Sequence, residues 1–286
     1  MKYNFRKAIK IIAQIWNHPR AKNRRIKVMS RFLWWQLVEK HFAGDGIVKN
    51  WIGGRKLLVC PGRSVSTGNY YFGIYEYEET LFLLHYARFS DVFVDCGANT
   101  GIYCILLGPI CQKGIAIEPS ADTFQVLKRS LQLNNLTNIS CCNVGLSDKA
   151  GTRYFTNGLD ATNHVVEEAS AGCVQINVDT LDAICEENRD QISIIKIDVE
   201  GHEKELLRGA VKTLRDCPVN VVLMEIFGSE ELVSTMKEYG FGIYKYDPQT
   251  RTIIEPEDYS TAANGIFIRD IELARQRVSG AKNSGT

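Results

Sequence analysis

From residue 92 onward, short apolar runs alternate with longer stretches whose apolar residues fall three and four positions apart. The runs predict strands over 92–95, 113–118, 139–144, 192–198, 219–225, 240–246 and 264–268, and the periodic stretches predict helices over about 101–110, 121–134, 180–187, 202–215 and 229–238. Strands separated by single helices require crossover connections, so the expected fold is α/β with a mainly parallel, doubly wound sheet. The last two strands follow one another with no helix between them and are expected to finish that sheet as an antiparallel hairpin.

Upstream, Phe5, Ile9, Ile12 and Trp16 take helical spacing over 2–16. A second helical pattern over roughly 22–42 carries Ile26, Met29, Leu33 and Leu37 beside the aromatic Phe32, Trp34 and Trp35. His18-Pro19 separates the two. "IVKNWIGGRKLLVCPG" reads as two strands turned at Gly53-Gly54, and "EYEETLFLLHYAR" as a helix leading into the first strand of the alternating region. Three segments are therefore expected: a basic helical extension with a strand pair over 1–72, an α/β domain over 73–270, and a disordered tail over 271–286.

The 286 residues suffice for one large α/β domain plus an extension, and 45% hydrophobic content is ample for a core. The net charge of +1 conceals an asymmetry. Ten Lys or Arg precede the first acid, Glu39, whereas the chain from residue 32 onward holds 24 basic and 33 acidic residues. The nine cysteines are scattered, odd in number and without a C-x-x-C pair, which points to free thiols in a reducing compartment. No apolar run approaches the roughly 18 residues of a membrane span. "AIKIIAQIW" contains Lys10 and runs into "NHPRAKNRR", unlike a cleavable signal. A cytoplasmic protein is expected, with peripheral contact to the inner face of the membrane as an option.

In an open α/β sheet ligands bind beyond the carboxyl ends of the strands. Four such ends carry chemistry. The first is Asp95-Cys-Gly-Ala-Asn-Thr-Gly101, where Gly97 and Gly101 permit close backbone approach and Asn99 tolerates left-handed geometry. The second is Glu118, about two dozen residues later, placed to accept both ribose hydroxyl hydrogens of a nucleoside. A dinucleotide site would use G-x-G-x-x-G to hold a pyrophosphate on a helix N-terminus. Here the pattern is D-x-G-x-N-x-G, whose leading acid repels a phosphate and attracts the ammonium and sulfonium of S-adenosylmethionine. The third end, "IIKIDVEGHEKELLRGA", brings Asp198, Glu200 and Glu203 together, an arrangement that needs a positive or protonated partner. Glu203 also suits a helix N-terminal cap. The fourth is Glu225, closing the apolar strand "VNVVLMEIF"; in a parallel sheet its strand neighbours that of Asp198.

These residues resemble the FkbM-family S-adenosylmethionine-dependent methyltransferases. The marks are "VDCGANTGIY", "IEPS", "NVGLSDKAG", "VDTLD", "IKIDVEGHE", "LLRGA" and "MEIF", in that order, and the resemblance runs from about residue 73 to residue 268. It implies a class I methyltransferase (Rossmann-like) fold, usually seven-stranded, that transfers methyl to oxygen, often on a sugar hydroxyl of a glycan or glycosylated metabolite. By the same match Asp95, Gly97, Ala98, Asn99, Gly101, Glu118 and Pro119 are cofactor contacts, with Asn143 a candidate for the adenine. Asp198, Glu200 and Glu225 fall at the acceptor end, where His202 is a further candidate base. The N-terminal residues lie outside the resemblance.

Methyl transfer from a sulfonium is an in-line displacement, and an alcohol needs its proton removed as the transfer proceeds. Asp198 first and Glu225 second are placed to accept it. The same acids have an alternative use in holding a divalent cation that orients a sugar diol, though no spacing assigns a metal. The basic extension, residues 1–42, either rests on anionic lipid near a lipid-linked acceptor or packs on the domain as a lid or homodimer element. A nucleic-acid substrate ranks below a glycan, because the body is acidic and lacks a D/N-P-P-Y/F motif. A protein that keeps the fold and binds without transfer is the rival from another class.

Overall fold

The computed structural model describes residues 12–13, 15–16, 18–22, 24–38, 41, 46–158, 160–166, 168 and 172–281. All but the end of the helix predicted over 2–16 lies outside the described residues, as does the tail from 282. The chain divides into two compact units, one running to Tyr77 and the other beginning at Glu78.

The first unit comprises α1 (Arg25–Val38), β1 (Ile47–Asn50), β2 (Lys56–Val59) and α2 (Ser64–Phe72). β1 and β2 form the expected antiparallel hairpin, with Ile47 opposite Val59 and the turn at Ile52–Gly54. α2 was not anticipated, because "SVSTGNYYF" is rich in the small polar residues that favour loops. The apolar stripe predicted on α1 is not its buried face. Ile26, Leu33 and Leu37 are 89%, 54% and 71% exposed, while Val28, Phe32 and Trp35 are buried. Aromatic packing decides the orientation: Phe32 meets Tyr71 edge to face at 5.6 Å, and Trp35 lies 6.2 Å from Tyr70.

The second unit follows α3 (Tyr77–Tyr86) with β3 (Val92–Cys96), α4 (Ile102–Leu107), β4 (Lys113–Ile117), α5 (Ala121–Leu133) and β5 (Ile139–Cys142). Next come β6 (Gly145–Leu146), β7 (Gly151–Thr156), β8 (Val165–Val166) and β9 (Cys173–Asp179), a separate four-stranded sheet in the order β6-β9-β7-β8. β7 is largely solvated and keeps no apolar alternation, whereas β9 alternates Val174, Ile176 and Val178 with Gln175, Asn177 and Asp179, a strand signal that a reading by unbroken apolar runs passes over. α6 (Leu181–Cys185), β10 (Ile192–Ile197), α7 (Glu203–Arg208), α8 (Val211–Asp216), β11 (Val221–Glu225) and α9 (Glu230–Glu238) follow. β12 (Gly242–Asp247), β13 (Thr252–Ile254), β14 (Asn264–Ile268) and α10 (Ile271–Ser279) end the unit.

The main sheet has the order β13-β12-β14-β11-β10-β3-β4-β5. β5, β4, β3, β10 and β11 run parallel, and β14 is antiparallel to both β11 and β12. All seven predicted strands are present. The eighth, β13, is a three-residue edge strand, and the antiparallel closure places β14 inside the sheet rather than at its rim. β3 and β10 are buried along nearly their whole length and pack Val92, Val94, Ile195 and Ile197 with Leu206, Leu214 and Val233 into one core. Each such side chain contributes roughly 1.5–3 kcal/mol by leaving water. The helix predicted over 202–215 is two helices, broken at Gly209-Ala210. There the backbone lies so close to residue 147 that a Cβ on Gly209 would stand 2.1 Å from the Ser147 carbonyl oxygen.

The tail expected over 271–286 requires correction. Ile271–Ser279 is a helix, capped by the Asp270 side chain accepting from the Leu273 N–H at 2.9 Å, with Ala274 and Val278 buried. Two small or medium apolar residues among charged ones gave the pattern little to read. What secures the helix is an ion pair: Arg277 Nη1 donates to both oxygens of the buried Asp91, at 2.9 and 2.8 Å. Asp91 also accepts from Ser193 Oγ and the Arg88 N–H. None of the nine cysteines forms a disulfide, and no described helix is long and apolar enough to cross a membrane. Replacing Arg277 with Ala strands a buried carboxylate, and a loss of about 2–4 kcal/mol is expected in urea unfolding; a change below about 0.5 kcal/mol would show the pair to be ornamental.

Candidate functional site

The strand order reverses between β3 and β10. β4 and β5 extend the sheet to one side of β3, and β11 continues it beyond β10 on the other. The crevice beyond the carboxyl ends of these two strands is the ligand site of a doubly wound sheet. In the ladder Asp95 stands opposite Lys196 and Cys96 opposite Ile197. The Asp198 N–H then donates to the Cys96 carbonyl at 3.0 Å, tying the two strand ends together.

The β3 loop folds back on β4, with the Gly97 and Ala98 N–H groups both donating to the Ile117 carbonyl. Asn99 has φ of 50°, in the left-handed region expected of it. Gly97 has φ of +79°, and a Cβ there would lie 1.9 Å from the Asp198 carbonyl oxygen. Its glycine is therefore required by the neighbouring strand end before any ligand arrives. Glu118 is 6% exposed; its Oε2 accepts from the Asn99 N–H and its Oε1 from the Ser120 N–H, both at 2.9 Å. These two backbone donors fix the orientation of the Glu118 carboxylate. Asn143 is exposed, and its amide donates to the carbonyls of Glu118 and Pro119 at 2.8 and 3.0 Å. That amide holds the Glu118-Pro119 turn and has only its oxygen to offer an adenine.

Asp95 is 1% exposed, so it underlies the crevice rather than rimming it. The Cys104 thiol, which burial keeps protonated, donates to its Oδ2 at 3.3 Å, and Lys196 Nζ lies 4.0 Å from its Oδ1. The same ammonium donates to Asp198 Oδ2 at 2.9 Å and lies 5.2 Å from the centre of the Tyr103 ring. Lys196 is the positive partner that three clustered acids demanded. The pattern "IIKID" carried its signal, a lysine inside an otherwise apolar strand and two positions before the acid, hence on the same face.

Asp198, Glu200 and Glu225 each contribute a carboxylate oxygen to a group whose atoms all lie within 4.8 Å of one another. β10 and β11 are neighbours, as the parallel-sheet expectation required. Glu200 has φ of 54°, which turns the chain sharply after β10. Burial, then the charges of Asp198 and Glu203, push its carboxyl up to about 7. Burial, then Asp198, Glu200 and Glu203, push Glu225 up to about 8. Glu225 Oε2 is buried and bonds no described residue. Glu203 is itself buried and raised by desolvation; its Oε1 accepts from the N–H groups of Val199 and Gly201 and pins the turn.

His202 is not brought to this group. Its Nε2 lies 3.2 Å from Ser147 Oγ and its Nδ1 3.6 Å from Glu205, and burial lowers its pKa. The left-handed turn at Glu200-Gly201 sends its ring toward the residue 147 loop, so the geometry gives it no part in the carboxylate cluster. A residue the sequence did not flag stands nearby: Phe227, two positions past Glu225, is 70% exposed with φ of 42°. A bulky side chain at positive φ is strained, and such strain concentrates at functional sites.

The donor set suits S-adenosylmethionine. Acids outnumber the one described lysine among them, which favours a ligand with cationic groups over one bearing phosphates. The chain is 31% identical over 145 residues to the "Hexuronic acid methyltransferase AglP" of Haloferax volcanii, covering 50% of this chain and 59% of that protein. It is 29% identical over 170 residues to "Methyltransferase sdnD" of Sordaria araneosa, covering 47% of this chain and 66% of that one. It therefore spans about three fifths to two thirds of the length of these relatives. Among solved structures, an rRNA methylase from Streptococcus thermophilus aligns with a TM-score of 0.41 at 11% identity, over 67% of this chain and 93% of that one. Residues 95–243 match the model of the Methyltransferase FkbM domain, and with just over half of its length inside that match the chain belongs to the FkbM methyltransferase family.

Proposed function

We propose that this chain is an S-adenosylmethionine-dependent O-methyltransferase whose acceptor is a sugar hydroxyl in a glycan, glycolipid or glycosylated metabolite. The observation that carries the reading is the convergence of Asp198, Glu200 and Glu225 beside an oriented Glu118 at the switch point. The likeness to a protein described as a hexuronic acid methyltransferase supports the sugar class. When bound, S-adenosylmethionine supplies the electrophilic methyl group. Glu118 would accept the ribose hydroxyl hydrogens, and the β3 loop, residues 97–101, would line the cofactor.

The chain's own contribution is to position the acceptor and take its proton. Asp198 has one oxygen committed to Lys196 at 2.9 Å, whereas Glu225 offers a buried oxygen with no partner among the described residues. Glu225 is therefore assigned the acceptor's proton ahead of Asp198, and Asp198 with Lys196 fixes the electrostatic surroundings. Its elevated pKa suits that task, since proton transfer is most effective near the working pH. Phe227, two positions past Glu225 and 70% exposed, would offer an apolar ring on which a sugar can stack.

Incubation with isotopically labelled methyl donor and oligosaccharide or cell-envelope fractions, followed by mass spectrometry, is expected to label a sugar oxygen. Label on nucleic acid or protein, or none despite cofactor binding, would overturn the reading. With an acceptor in hand, Glu225→Gln is expected to lower kcat about 100-fold or more while calorimetric affinity for the cofactor changes less than about threefold. Equal loss of both would make Glu225 a cofactor residue. If chelation abolished transfer and Mg²⁺ restored it, the cluster would belong to a divalent cation instead.

The acids also set a pH dependence of stability. Glu200 and Glu225 have folded pKa values of about 7 and 8, above those of the unfolded chain, so the folded state binds more protons between the two. Their contribution is neutral below the unfolded pKa and becomes destabilising as pH rises through 7 to 8. The ligand-free protein should lose stability in urea from about pH 5 to about pH 8.5, and Glu225→Gln should flatten that slope. A slope unchanged by the substitution would place the titration elsewhere.

A further inference from the structure

The first unit contains a cavity of about 480 Å³ that the methyl-transfer reading does not use. Its volume lies within the about 300–1,000 Å³ of small-ligand sites. Arg24, Lys27 and Arg31 line it from α1 and the turn before it, Lys49 from β1, and Trp51 and Tyr70 supply aromatic surface. No lining residue is acidic. The imbalance extends through the surrounding sequence. Residues 1–75 hold fifteen Lys or Arg against two acids, Glu39 and Asp45, and residues 46–75 hold no acid at all.

Arg24, Lys27, Val28 and Arg31 are spaced i, i+3, i+4 and i+7, so they share one helical face. Like charges at such spacings repel, and folding gains nothing by gathering them without an acid between. The cations are also partly fixed. Arg31 Nη1 donates to the Tyr70 carbonyl at 3.0 Å and reaches the Tyr71 carbonyl at 3.5 Å, which holds the guanidinium against the Tyr70 ring at 5.6 Å. Its Nη2 and Nε bond no described residue. Lys49 Nζ lies 4.5 Å from the centre of the Trp34 ring and 5.9 Å from that of Tyr70, with no carboxylate partner among the described residues.

From this we infer that the cavity binds a diphosphate group. Four cations exceed what one carboxylate neutralises, and a diphosphate concentrates several negative charges and many acceptor oxygens in a compact unit. A guanidinium held at one nitrogen, with its remaining N–H groups available, suits phosphate oxygens, and lysines add mobile point charges. A concave site of this size selects a compact anion over an extended polyanion, whose backbone needs a groove. Two sources share this chemistry, free inorganic diphosphate and the diphosphate ester of a sugar carrier. The inference does not rest on methyl transfer.

Calorimetric titration of the full chain at constant ionic strength tests it, with sodium pyrophosphate, uridine diphosphate glucose, glucuronate and a single-stranded RNA as probes. Saturable one-to-one binding of pyrophosphate or the sugar ester is expected, at least about tenfold tighter than glucuronate; the tighter of the two identifies the source. Lys49→Gln and Lys27→Gln should each weaken it about three- to tenfold, while Lys56→Gln, a cation of the same unit outside the cavity, should leave it within about twofold. Arg31→Gln should weaken it most, provided its circular dichroism is native; the lysine variants decide the matter if it is not. No saturable binding, an equal loss in Lys56→Gln, or RNA binding more tightly than either diphosphate would overturn the site in favour of a diffuse basic surface.

Discussion

The Lys196 ammonium stands 2.9 Å from Asp198 and 4.0 Å from Asp95, inside a strand whose other side chains are mostly apolar. A carboxylate as deeply buried as Asp95 is strongly disfavoured without a nearby cation, and removing one member of a buried pair typically costs about 3–5 kcal/mol. Lys196 is thus what allows acids to gather where two parallel strands end. Burial and the neighbouring carboxylates outweigh its pull on Glu200 and Glu225, whose carboxyls are pushed up to about 7 and about 8.

The backbone reinforces this arrangement. Asp198 donates its N–H to the Cys96 carbonyl, and the absence of a Cβ on Gly97 lets the β3 loop meet the Asp198 carbonyl closely. The β3 loop and the end of β10 are consequently one mechanical piece, and a change at either strand end is felt at the other. Glu203 extends the same logic by spending its charge on two backbone N–H groups of the β10–α7 turn. Such coupling fixes the register of the two strand ends, and fixed positioning of reacting groups can lower a barrier by roughly 7–11 kcal/mol.

Much of the second unit was legible because parallel strands buried on both faces leave unbroken apolar text, and each of the seven predicted strands is found in the main sheet. The placement of the strand-end acids was legible for the same reason: Asp95, Glu118, Asp198 and Glu225 interrupt or close apolar runs at positions that topology sends to one edge. What escaped had a different physical basis. β7 is a half-solvated strand without alternation, β9 alternates but forms no unbroken apolar run, α10 is tied down by the Arg277–Asp91 ion pair, and α1 is oriented by aromatic contacts instead of its aliphatic stripe. His202 was suggested by motif adjacency alone, and adjacency in sequence ceases to mean adjacency in space once Glu200 and Gly201 take positive φ. Lys196 did carry a signal, as a lysine inside an apolar strand two positions before Asp198, whereas the strain at Phe227 exists only after folding.

The two units carry opposite fields. The second gathers carboxylates around one lysine, an environment that favours cationic groups and disfavours phosphate. The first gathers cations around a cavity with no acid in its lining. Uncompensated like charges raise the free energy of the fold that holds them, so neither cluster is explained by folding alone.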